Sequence, residues 1–250
     1  LEQCGLLQVA YDSLDLVSAD EEVWQGKHEA LVTASAETRA AISRALLDVM
    51  RRELAIRADY LEPLRQEQIK LNSNQYLRSP WPIDEQEEME SGKILYPRPQ
   101  RQNEPRTNAY VSARSRYGQY LRRSSTFSEY GARLTLEDTA EIILQLLDGL
   151  RIAGLVQQVD DPRSDGDVPG YQIPAAAMRW IAGDGKTPLY DPTRVNPGTE
   201  RATQSNQFFV DFYHHEAVGN IGIEAREHTA QVQSEQREER ERQFRTAALP

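Results

Sequence analysis

Apolar residues recur at three-to-four spacing over residues 35–61, where Ile42, Leu46, Val49, Met50, Leu54 and Leu61 share one stripe behind a capping Ser35. That spacing predicts the clearest helix of the first half. Pro63 ends or bends it, and a weaker helical stretch continues to about Tyr76. Residues 79–109 then lose the pattern. Pro80, Pro82, Pro97, Pro99 and Pro105, with an acidic run from Asp84 to Glu90, read as a linker and the main internal boundary. Order returns where Tyr110, Ala113, Tyr117, Tyr120 and Leu121 predict a helix flanked by arginines. Thr135 and Asp138 predict a capping box opening a strongly apolar helix, with Ile142, Ile143, Leu146, Leu147 and Leu150 facing inward and Gly154 at its end. A strand over Leu155–Val159, a polar loop over 160–169 and a returning strand over Tyr171–Ile173 follow. Helix, glycine, strand, loop, strand is the order of the closing half of a winged-helix domain. Residues 183–207 are turn-rich, Phe208 to His215 predict an aromatic helix, Ile221 to Ala225 a short strand, and Ser234 the cap of a charged helix from Glu235 to Arg245.

The expected fold class is therefore mainly α with small β. It comprises a helical region (1–78), a Pro-rich acidic linker (79–109), a winged-helix-like module (110–182), a turn-rich linker (183–207) and a partial α/β segment (208–250). At 250 residues the chain is long enough for one to two domains with a real core. No apolar run reaches the roughly 18 residues of a membrane span, since Gln145, Asp148 and Arg151 interrupt the best candidate. A single cysteine, Cys4, excludes an internal disulfide and a cysteine-built zinc site, and a cytoplasmic setting is the expectation. Because the first residue is Leu1 and catalytic groups are missing, the chain reads as an excerpt of a larger protein.

Charge changes this picture locally. The net charge is −10, yet between Tyr96 and Arg133 eight arginines (98, 101, 106, 114, 116, 122, 123 and 133) face only Glu104 and Glu129, a balance of +6 that leaves −16 elsewhere. Such asymmetry marks a candidate anion-binding face on an acidic body. Guanidinium groups pair with phosphates and tyrosines stack on bases, so Arg114, Arg116, Arg122 and Arg123, with Arg163 in the loop between the two strands, are the candidate nucleic-acid-binding residues. The competing reading makes the tyrosines core and the arginines solvated or paired with nearby acids. The helix over 136–152 weakens the simplest nucleic-acid arrangement, because Glu137, Asp138, Glu141 and Asp148 oppose Arg151 alone.

Other motifs dissolve on inspection. Gly185-Lys186-Thr187 imitates the end of a phosphate-binding loop, but Trp180 stands where its first glycine belongs and Pro188 follows it. Asp84-Glu85-Gln86-Glu87 lacks a preceding apolar strand. His28, His214, His215 and His228 have no carboxylate at helix-face metal spacing, and no serine or cysteine sits in a nucleophile elbow. No catalytic, cofactor or metal residue is assigned within this chain.

The C-terminal segment is more specific. Glu224-Ala-Arg-Glu-His-Thr-Ala-Gln-Val232, then Glu238-Glu-Arg240 and Gln243-Phe-Arg245, resembles part of the second RecA-like domain of large bacterial DEAD/DEAH-box superfamily 2 helicases. Leu1-Glu-Gln-Cys-Gly-Leu-Leu7, Ala19-Asp-Glu-Glu22, Met50-Arg-Arg-Glu-Leu54, Val111-Ser-Ala-Arg-Ser115, Gly154-Leu-Val156 and Phe208-Phe-Val-Asp-Phe-Tyr213 are similar to the same family. The resemblance implies an insertion within that second lobe, with 208–250 a partial RecA-like edge. It also implies a parent protein using ATP and Mg2+ to move along nucleic acid, DNA ahead of RNA, with the remainder of the helicase chain as partner. Phosphate loop, magnesium-holding acids and arginine finger are absent here, so the chain alone is expected to be inactive. The alternative is a protein-interaction scaffold with no nucleic-acid binding of its own.

Overall fold

The computed structural model describes residues 1–78, 81–84, 86–102, 104, 107–162, 164, 167–195, 204–219 and 242. It divides into two compact units, the larger formed by Val9–Ile181 and Tyr190–Arg201, the smaller by Leu1–Gln8, Ala182–Leu189 and Ala202–Pro250. The chain is mainly helical with a small mixed sheet. Among the described residues no helix is long and apolar enough to cross a membrane.

Strand β1 (Leu7–Tyr11) leads into three short helices, α1 (Leu14–Ala19), α2 (Glu21–Trp24) and α3 (Glu29–Thr33), and then into α4 (Ala36–Arg52). Ser35 caps α4 as its sequence predicts, accepting the Thr38 N–H at 3.2 Å. The helix stops at Arg52, short of the expected 61. Leu54 takes a left-handed φ of 56° and Ala55 N–H returns to the Met50 carbonyl at 2.8 Å, closing the terminus around a non-glycine residue. Strand β2 (Ile56–Arg57) follows, and Pro63 opens α5 (Pro63–Tyr76) from its first turn, where a missing N–H loses nothing.

Within the stretch that reads as a linker, β3 (Leu95–Tyr96) is buried and sits between two other strands of the sheet. Strand β4 (Ala109–Tyr110), helix α6 (Arg116–Leu121) and helix α7 (Leu136–Ile152) come next, then β5 (Gln157–Asp160), β6 (Gly170–Pro174) and β7 (Met178–Ala182). The sheet order is β2-β6-β3-β4, with β5 antiparallel to β6. Strand β6 is its hub: Ile173 lies opposite Ile56 in parallel pairing and Tyr171 opposite Leu95 in antiparallel pairing.

Helix α7 forms as its sequence predicts. Thr135 Oγ1 accepts the Asp138 N–H at 3.1 Å, and the Asp138 carboxylate accepts the Thr135 N–H at 2.8 Å. Its apolar stripe (Ile142, Ile143, Leu146, Leu147, Leu150) joins Trp24, Leu31, Leu46, Met50, Tyr117 and Leu121 in one core. Gly154 is left-handed at φ 72° and turns the chain into the β5–β6 hairpin. In the smaller unit, helix α8 (Gln207–Gly219) buries Val210 but leaves Phe208, Phe209 and Phe212 exposed.

Arg39 is the polar centre of the larger unit, 1% exposed. Its guanidinium donates to the carbonyls of Leu31 and Val32, each at 2.8 Å, and to both Glu21 carboxylate oxygens at 2.8 and 3.0 Å, while its carbon lies 5.7 Å from the Trp24 ring centre. A buried cation survives because every face of it meets an acceptor or an aromatic ring.

Candidate nucleic-acid interface

The arginine-rich segment is held by small polar residues and one glycine. The helix expected from Tyr110 onward begins only at Arg116, because Ser112 and Ser115 build a turn of their own: Ser115 Oγ donates to the Ser112 carbonyl at 2.7 Å and accepts the Gly118 N–H at 3.3 Å. Tyr110 belongs instead to β4. Gly118 packs so closely on this turn that a Cβ would collide with the backbone carbonyl oxygens of Ser112 and Ala113. Gly118→Ala is therefore expected to lower unfolding free energy by about 3 kcal/mol in urea melts, since backbone cannot yield as a side chain does. Gly131→Ala, where a Cβ meets nothing within 4 Å, should change it by less than about 0.5 kcal/mol.

Tyr117 anchors α6 by donating its hydroxyl to the Ile42 carbonyl at 3.0 Å, and burial pushes its phenol well above the ordinary tyrosine range. After α6 the chain folds through tight turns: Arg123 N–H donates to the Tyr120 carbonyl at 3.1 Å, Thr126 Oγ1 donates to the same carbonyl at 2.7 Å, and Tyr130 N–H donates to Phe127 at 3.1 Å. Those turns bring Arg133 back towards Arg122 and Arg123. The three arginines, with Ser124, Phe127 and Tyr130, line an open cleft of about 450 Å³.

Not all the basic residues remain available. Arg98 meets Glu104 at 2.7 Å and Asp167 at 3.5 Å, and Arg101 meets Asp167 at 2.9 Å. The Arg98 guanidinium, and then the Arg101 backbone N–H, hold the Glu104 carboxyl down at about 2. This end of the basic segment is neutralised. Among the described residues, none of Arg114, Arg116, Arg122, Arg123 and Arg133 is ion-paired with a carboxylate. Arg114, Arg116 and Arg133 are exposed, whereas Arg122 donates to the Ala113 carbonyl and Arg123 to the Pro192 carbonyl at 2.6 Å. Between Thr107 and Leu136 five arginines face Glu129 alone, a local balance of +4.

Of the five residues singled out in the sequence, Arg122 and Arg123 line the cleft, while Arg114 and Arg116 lie before it on the Ser112–Ser115 turn and the start of α6. Arg163 lies outside the described residues, as do the predicted strand over 221–225, the Glu224–Val232 segment and all but residue 242 of the helix from Glu235. Arg133 and Tyr130 were not separable by sequence. Arg133 stands ten residues beyond Arg123, and only the intervening turns return it. The acids of α7 are partly engaged: Asp148 pairs with Lys27 and Arg151, each at 2.9 Å, and Asp138 serves the cap.

The imitation phosphate loop is occupied by its own chain. Asp184 accepts the backbone N–H groups of Lys186 and Thr187 and the Thr187 hydroxyl, each at 2.8 Å, and these bonds hold its carboxyl at about 2. The amides that would cradle a phosphate are thus already satisfied by a carboxylate. A carboxyl depressed in the folded state stabilises above its unfolded value and loses that contribution on acidification. The stability difference between wild type and Asp184→Asn should hold constant above pH of about 4 and close between about 4 and 2. Denaturant melts across that range check it. No family model, curated protein or solved structure matches this chain.

Proposed function

We propose that this chain is a nucleic-acid-engaging accessory region of an ATP-dependent superfamily 2 helicase, binding DNA ahead of RNA while motor motifs elsewhere in the parent protein hydrolyse ATP with Mg2+. The observation that carries the binding part is the five-arginine face at 114–133, which no carboxylate neutralises among the described residues. An arginine cluster without carboxylate partners offers an anionic ligand a local positive potential on a chain of net charge −10. The helicase part rests on the sequence segments that resemble that family. In this reading α7 with the β5–β6 hairpin is the closing half of a winged-helix-like module, and 208–250 is one edge of the second RecA-like lobe. The acidic α7 is scaffolding, and the arginine face does the contacting.

The test is fluorescence anisotropy of labelled DNA with the purified chain over a salt series. Binding that weakens steeply from about 50 to about 200 mM salt supports the reading. Absence of binding at the lowest salt sinks it. The exposed Phe208, Phe209 and Phe212 on α8 favour a second reading, a protein-interaction scaffold. Capture of a partner protein through α8, with no nucleic acid retained, would support that one instead.

A further inference from the structure

A second cleft, of about 360 Å³, opens between the first turns of α4 and the end of α6, within the size range of small-ligand sites. Its cation is placed by hydrogen bond and ring contact. Arg123 donates to the Pro192 carbonyl at 2.6 Å, and its guanidinium carbon lies 5.5 Å from the centre of the Tyr120 ring. Pro192 and Tyr120 both line this cleft, so two of its own walls hold the Arg123 head group. Tyr190 lines it as well and is 48% exposed. It stands close enough to act on the Tyr120 phenol, which burial raises, Arg123 lowers and Tyr190 raises further. The Tyr120 ring packs against the core and is approached by the guanidinium, which leaves Tyr190 as the ring open to a ligand.

Charge and shape decide the occupant. Arg123 is matched in the lining by Glu37, so the cleft has no net charge with which to draw a phosphate. Tyrosine and proline walls beside a fixed guanidinium suit a flat, neutral, hydrogen-bonding ring instead. A nucleobase is such a ring. Inside a duplex both of its faces are stacked on neighbours, so only an unpaired base can lie against a tyrosine. The arginine face supplies the strand. Arg116 and Tyr120 stand four residues apart on α6, hence on one side of it, and Arg116 is exposed. A backbone held at Arg116 therefore runs past the mouth of the cleft.

We infer that this cleft takes an unpaired base of a bound strand, stacked on Tyr190, and so gives the chain a preference for single-stranded over duplex DNA. The inference rests on the nucleic-acid reading above and deepens it: Arg114 and Arg116 hold the backbone, and the cleft selects the strand state.

The experiment compares three DNAs of one length on the full chain at one salt concentration: a single strand, its duplex, and a single strand whose central residues are abasic. The intact single strand should bind about tenfold more tightly than the other two. Tyr190→Ala, at an exposed position, should remove that preference while leaving duplex affinity and the salt slope unchanged, because no phosphate contact is lost. Tyr190→Phe keeps the ring and should keep the preference. Arg114→Gln with Arg116→Gln should weaken all three DNAs and flatten the slope. Equal binding of the intact and abasic strands by wild type, or a preference surviving Tyr190→Ala, overturns the base cleft and leaves general DNA binding standing. Failure of all three DNAs to bind overturns both.

Discussion

Arg39→Ala is expected to lower the unfolding free energy by about 3–5 kcal/mol, the largest loss of any single substitution considered for this chain. The side chain is 1% exposed and satisfies four groups at once: the carbonyls of Leu31, Val32 and Ser18 and the Glu21 carboxylate. Truncation orphans the three carbonyls, removes the cation from beside Trp24 and opens a cavity among α1, α3 and α4. Arg39→Met, which restores much of the volume but none of the donors, should recover only part of the loss. Glu21→Gln should matter little, because Glu21 is 74% exposed and its carboxylate, held below the ordinary range by the Arg39 hydrogen bonds, can be replaced by water. Urea melts of the three variants rank them. If Glu21→Gln proves as damaging as Arg39→Ala, the ion pair rather than the buried donors holds this region together.

What the sequence made legible was whatever carries its own local signal. Helix α7 combines a capping box with an apolar stripe and a terminal glycine, and all three agree. The end of α4 had no such signal, because the left-handed position falls on Leu54, a residue that rarely adopts it. Strand β3 was invisible for a different reason. Leu95 and Tyr96 are too short a run to stand out from the prolines around them, and their burial comes from pairing with β6, far along the chain. Helix α6 starts later than the tyrosine spacing predicts, because the Ser112–Ser115 hydrogen bonds offer the backbone a turn in place of a helix.

The same division applies to the arginine face. Composition located the basic segment, but it could not say which charges survive folding. Arg101 is ion-paired with Asp167, 66 residues later, and Arg98 with Asp167 and Glu104. Nothing in the local sequence announces that pairing. Conversely, Arg133 enters the cleft only because Thr126 and Tyr130 bend the chain back, through bonds that no helical or strand periodicity encodes.

Reversing Arg114, Arg116, Arg122 and Arg123 together to glutamate should abolish DNA binding, with affinity near 100 mM salt falling about a thousandfold or more. Each phosphate contact contributes about 0.7–0.9 to the slope of log affinity against log salt, so losing four flattens that slope by about 3, and the new carboxylates add repulsion. The four positions are not equivalent structurally. Arg122 and Arg123 donate to the carbonyls of Ala113 and Pro192, and glutamate there would set an acceptor against an acceptor. Arg114 and Arg116 are exposed, so Arg114→Glu with Arg116→Glu separates binding from folding. This pair should keep the wild-type melting temperature and lower the salt slope by about 2. Arg101→Gln gives the opposite control, because Asp167 already offsets the charge of that guanidinium, and the slope should change little. A double variant that binds DNA as wild type does would move the contact surface away from the start of α6. An Arg101 variant that loses binding would move it towards the neutralised end.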